Sequence, residues 1–218
     1  MIQQHQQGNL RTDMSARWQR FLQRGGLADP GGRTLAQLLA DYGCADRHYH
    51  GLRHIQHCLD QLDSVRDISP DSLAIEAAIW FHDVVYDPRR NDNEQQSAEI
   101  AAELLATMGM AKPGVAQVKE LILDTRHEGP PATENGRFMV DIDLTGLAQA
   151  PEAFDEDGRA IRNEYAHVDE ESFRRGRADF FERFLARPSI YFTPFFRQRC
   201  EAQARQNLSR ALRRLRVA

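Results

Sequence analysis

The sequence predicts an all-α protein. Apolar residues recur at three- and four-residue spacing through most of the chain, no segment alternates apolar and polar residues long enough to read as a strand, and Gly, Pro and Asp-Pro breaks fall between the periodic stretches. The first helix is expected from Ser15, as N-cap, to Arg24, closed by Gly25-Gly26. Ahead of it, residues 1–14 are Gln-rich, without the basic start and apolar stretch of a signal peptide, and are read as a flexible extension. Thr34 to Tyr42, with Leu35, Leu38 and Leu39 on one face, predicts a second helix, and Gly51 to Ser64 a third. Ser69-Pro70-Asp71 opens a fourth, which is apolar nearly all round from Leu73 to Phe81, as a central buried helix must be.

Asp87-Pro88 stops that helix. Further helices are expected over Asn93–Met108, ending at Gly109, and Lys112–Asp124. Phe138–Ala148 reads as a buried segment, followed by helices over Phe154–Val168, Glu170–Ala186 and Pro194–Leu215. With no repeat and no internal linker, residues 15–218 are expected to form a single helical-bundle domain.

The net charge of −4 over 218 residues gives no general argument for a nucleic-acid surface. Cys44, Cys58 and Cys200 form no CxxC pair, which suits a reducing cytosol and argues against a disulfide scaffold. No apolar run approaches the ~20 residues of a membrane span, so a cytoplasmic protein is expected. The Arg-rich C-terminal stretch reads as a solvated face of a helix that turns Cys200, Ala204, Leu208 and Leu212 inward. The aromatic run Tyr191, Phe192, Phe195, Phe196 reads as core, with a homodimer contact as the alternative.

Chemistry concentrates in three places. His50, His54 and His57 in YHGLRHIQH are spaced to share a helix face. His82-Asp83 ends the buried helix, where a charge is costly without a partner. A metal ion is a natural partner, because it takes neutral imidazole and ionised carboxylate together. Adjacent helical residues diverge by about 100°, so the pair can grip one ion only at a helix end or from opposite sides of it. Asp141 and Asp143, two apart in an apolar run, also need an explanation, and either could complete the site. Two imidazoles and two carboxylates suit Mn²⁺, Mg²⁺, Fe²⁺, Ni²⁺ or Zn²⁺.

The stretches RHYHGLRHI, AIWFHDVVYDP, DNEQQSAEIA, DIDL and RNEYAHV, in that order from about Trp18 to Leu208, resemble the HD superfamily of metal-dependent phosphohydrolases, in particular a bacterial branch of predicted HD phosphohydrolases. The resemblance implies an HD-type helical domain with one divalent ion held by His54, His82, Asp83 and Asp143, with Asp141 as the fallback. It implies hydrolysis of a phosphate ester or anhydride by metal-activated water. Asp87 and Glu94 stand where related enzymes carry acid/base carboxylates; their plainer roles are a turn residue and a helix cap. His50 and His127 could donate to phosphate oxygens or bind a second metal, and Arg53, Arg89 and Arg126 could clamp a phosphate.

The expected partner is therefore a small phosphorylated substrate, a nucleotide being one candidate, although no base-reading or sugar-reading motif is present. No Gly-rich phosphate loop points to a kinase or P-loop ATPase. The competing functions are a non-catalytic metal-binding sensor or scaffold, and a di-iron oxygenase of HD type, which would need His50 and His127 as extra ligands.

Overall fold

A computed structural model describes residues 2–217, with side chains from Gly8 onward; Met1, part of the expected extension, lies outside the described residues. The described residues are all-α, with no strand among them. The helices are α1 (Ile2–Gly25), α2 (Arg33–Asp41), α3 (Leu52–Val65), α4 (Ser72–Phe81), α5 (Asn93–Thr107), α6 (Lys112–Asp124), α7 (Glu134–Asp143), α8 (Pro151–Glu164), α9 (Glu170–Leu185) and α10 (Pro194–Val217), with 3₁₀ turns at Pro30–Gly32 and Leu144–Ala148. Among the described residues no helix is long and apolar enough to cross a membrane.

By contact, the chain divides into two compact units, residues 1–139 and 140–218. In the first, α4 touches α1, α3, α5 and α6, and every residue from Ala74 to Phe81 is buried. Its N-terminus is set by Asp71, whose carboxylate accepts from Ala74 N at 3.0 Å. Trp18 of α1 meets Trp80 edge-on, with ring centroids 5.1 Å apart. Helix α1 begins well before the expected Ser15. Met14, Trp18, Phe21 and Leu22 are all buried, so the apolar stripe extends N-terminal to that serine. Ser15 instead donates its hydroxyl to Arg11 O at 2.8 Å, as an interior helical serine does. Helix α4 also ends earlier than Asp87-Pro88 suggests: it closes at Phe81, with His82 as its C-cap.

In the second unit, α10 packs on the Leu144–Ala148 turn and on α9, and α8 touches the same turn. The core holds Phe154, Phe181, Phe184, Tyr191, Phe196, Ala204 and Leu208. Tyr191 Oη donates to Leu144 O at 3.0 Å, and Asn207 Nδ2 to Leu147 O at 3.0 Å and Gln149 O at 2.9 Å. The arginines of α10 are largely occupied inside this unit. Arg210 and Arg214 pair with Asp155, Arg216 with Glu182, and Arg205 reaches Glu201, Leu185 O and Arg187 O.

Glu201 ties the chain entering α10. It accepts from Ile190 N at 2.9 Å, Tyr191 N at 3.2 Å and Ser189 Oγ at 2.9 Å, and pairs with Arg205. Burial works to raise its pKa, but these donors outweigh burial and hold it below the ordinary glutamate value. A depressed folded pKa gives stability that is present above the unfolded value of about 4.3 and lost as pH falls through the folded one. Glu201→Gln is therefore expected to be less stable than the wild type by ~1–2 kcal/mol at pH 7. Chemical denaturation from pH 7 to 3 should show that gap closing; a constant gap would refute the assignment.

Candidate metal centre

His54 sits in the first turn of α3, its backbone N–H bonded to Gly51 O at 3.0 Å. His82 and Asp83 follow the last residue of α4. His82 N still reaches Ala78 O at 2.9 Å, and Val84 N turns back to Phe81 O at 3.1 Å. The chain thus leaves the helix at His82, which lets two adjacent side chains converge as a continuous helix would not. Asp83 Oδ2 lies 3.2 Å from His82 Nε2 and 3.7 Å from His54 Nε2, and the two imidazole Nε2 atoms are 3.2 Å apart. Both histidines are buried, and the Asp83 side chain is 15% exposed.

The tautomer of His82 follows from its other nitrogen. Nδ1 is 3.0 Å from Ile79 O, a carbonyl that can only accept, so Nδ1 carries hydrogen. In neutral His82, Nε2 then presents a lone pair to an Asp83 oxygen that is also an acceptor. Such a meeting requires positive charge between the atoms, from a proton or from a metal ion. A metal-bound histidine that donates its far N–H to a carbonyl is the usual arrangement. The spacing fits as well: bonds of ~2.1 Å to one ion set neighbouring donors about 3.0–3.4 Å apart. Burial by itself would raise the pKa of Asp83, but His82, then His50 and His54, outweigh it and hold the carboxylate well below its ordinary value.

His50 stands at the edge of this group, its ring 6.0 Å from that of His54 and stacked on Tyr86 at 4.0 Å. Cys58, buried one turn along α3, brings its Sγ to 3.7 Å from His54 Nε2. Of the two candidate aspartates, Asp141 is fully committed to its own unit. Its Oδ1 accepts from Phe192 N, and its Oδ2 from Thr193 N and Thr193 Oγ1, each at 2.7 Å. It is a wholly buried anchor for the segment entering α10, so its place in an apolar run has an explanation without a metal ion. Burial pushes its pKa up to about 6 against the pull of those donors. Asp143 is the last residue of α7 and is half-buried.

The remaining expected residues have other contacts. Asp87 Oδ1 accepts from Arg89 N at 2.9 Å, the turn expected of an aspartate before proline. Its own N–H donates to Asn93 Oδ1 at 3.1 Å. Arg89 is exposed and lies 3.9 Å from Asp87; Arg53 is exposed on α3. Glu94 is in the first turn of α5, and its Oε2 is 4.0 Å from Arg126 Nε. Arg126 and His127 follow α6, and His127 takes a left-handed φ of 56°, uncommon for a residue with a Cβ. Arg47, which the sequence reading passed over, donates to the backbone carbonyls of Asp83 and Val84. Nothing in its residue type or spacing announced that contact.

Comparison with protein-family models, with curated proteins and with solved structures finds no match to this chain.

Proposed function

We propose that this chain is a metal-dependent phosphohydrolase acting on a small phosphorylated molecule. The observation that carries the reading is the convergence of His54 Nε2, His82 Nε2 and Asp83 Oδ2 at the end of α4, with the Nδ1 of His82 turned away onto a carbonyl. The proposed ligands are these three and, by the resemblance, Asp143. Asp141, with both oxygens spent on Phe192 and Thr193, drops out. The order of ligands along the chain, and the stretches around them, resemble the HD phosphohydrolases, and that resemblance is what turns a metal site into a hydrolase.

A divalent ion held there would polarise a phosphate and bring the pKa of a water toward neutrality. The chain's own residues supply the rest. Ile79 O fixes the ring of His82, and Asp83 contributes the negative charge that makes the site select a cation. His50 is held by Tyr86 beside the ligand histidines, where its ring can meet a phosphate oxygen. Asp87 and Glu94 are the carboxylates to test for handling the water's proton, and Arg89 and Arg126 the cations to test for binding phosphate.

The test is hydrolysis of a panel of nucleotides and phosphate esters with Mn²⁺, Mg²⁺, Ni²⁺, Fe²⁺ and Zn²⁺ in turn. Turnover of at least one substrate that stops on chelation and returns with metal is the expected result. A metal-loaded protein that cleaves none of the panel would favour a binding or sensing role.

A further inference from the structure

We propose that Arg47 is the positioning residue of this metal site, tying the loop ahead of His54 to the backbone that carries His82 and Asp83. The inference rests on the metal reading above. Helix α4 ends without partners of its own for its last carbonyls, as every helix does. Within α4, Trp80 O accepts from Tyr42 Oη at 3.0 Å; just beyond the helix, Arg47 donates from Nη1 to Asp83 O and from Nη2 to Val84 O at 2.7 Å. Arg47 Nη1 also reaches His50 O at 3.3 Å, on its own loop. One guanidinium thus holds both strands of chain that deliver ligands to the site.

The guanidinium is itself held. Its carbon lies 5.3 Å from the ring centre of Tyr42 and 5.9 Å from that of Tyr86. Tyr86 also stacks on His50, so the turn at 83–86 and the loop at 47–51 are joined twice, once through Arg47 and once through that ring pair. Gly51 closes the loop tightly, for a Cβ there would stand 3.0 Å from Tyr42 O. The positive charge also lies at the negative end of α4, where the helix dipole favours it. A lysine would keep that charge but lose the planar fork that spans two successive carbonyls while lying against aromatic rings. Asp83 and His82 would keep their chemistry, but their distance to His54 would no longer be fixed.

The experiment measures Mn²⁺ and Zn²⁺ affinity by calorimetry for the wild type, His82→Ala, Arg47→Lys and Arg47→Gln, with the melting temperature of each metal-free protein. Arg47→Lys or Arg47→Gln is expected to bind about 10–100-fold more weakly, the range seen when supports of metal ligands are removed, with the metal-free protein still folded. Affinity equal to the wild type in both variants, while His82→Ala has lost binding, overturns the role of Arg47 alone. So does a loss that merely follows the fraction unfolded. A wild-type protein that binds neither metal overturns the metal reading, and the role of Arg47 with it.

Discussion

His82→Ala and Asp83→Asn are each expected to lower divalent-metal affinity by more than about a hundredfold, a larger effect than losing a group that only supports a ligand. Asp143→Asn should do the same, whereas Asp141→Asn should leave affinity unchanged and cost stability instead. The contrast follows from the two aspartates' surroundings. Asp141 has three donors at 2.7 Å divided between its two oxygens, all from Phe192 and Thr193. An amide replaces one acceptor oxygen with a donor, so at least one buried N–H faces another N–H. The cost is ~1.5–3 kcal/mol, the range for hydrogen bonds to a charged group. Metal content by mass spectrometry, calorimetric titration and urea melts of the four variants would measure both quantities. If Asp141→Asn lost the metal at full stability while Asp143→Asn bound it normally, the proposed ligand set would be wrong.

Much of this is legible in the sequence, and what is legible shares a physical cause. The run from Leu73 to Phe81 announces a buried helix because, Glu76 apart, it is apolar nearly all round, and α4 is that helix. The bounds of α6 match the expected Lys112–Asp124 because Pro113 marks its first turn. His82-Asp83 stood out because charge at the end of such a helix demands a partner, and the structure does bring His54, His82 and Asp83 together. What stayed hidden depends on residues far away in sequence or on the backbone. Asp141 reads like a ligand until its partners, some 50 residues later, are known. Arg47 acts on carbonyl oxygens, which every residue carries, so no residue type signals its target. The early start of α1 was missed because polar residues surround Met14 and conceal the stripe it begins.

Glu76 supplies the second large effect, and it tests the fold without reference to metal. It is a carboxylate 2% exposed in the middle of α4, among Ile75, Ala77 and Ala78. It accepts from Arg24 of α1 and, at 2.8 Å, from Arg66, which follows α3. The two arginine side chains are 39% and 23% exposed, so each can turn to water if its partner goes, while Glu76 cannot. The pair is therefore asymmetric. Replacing both Arg24 and Arg66 with alanine strands a buried charge and is expected to cost ~3–5 kcal/mol. Glu76→Met should cost far less, because an apolar side chain suits the site and the arginines re-enter solvent. Introduced into the double-alanine background, Glu76→Met should restore most of the lost stability. Urea denaturation of the four proteins gives the coupling energy directly. If Glu76→Met is as damaging as removing both arginines, and rescues nothing, then the ion pair itself holds α1, α3 and α4 together. If instead the rescue is found, the apolar contacts of α4 dominate, and the arginines serve to neutralise a charge that the packing alone would reject.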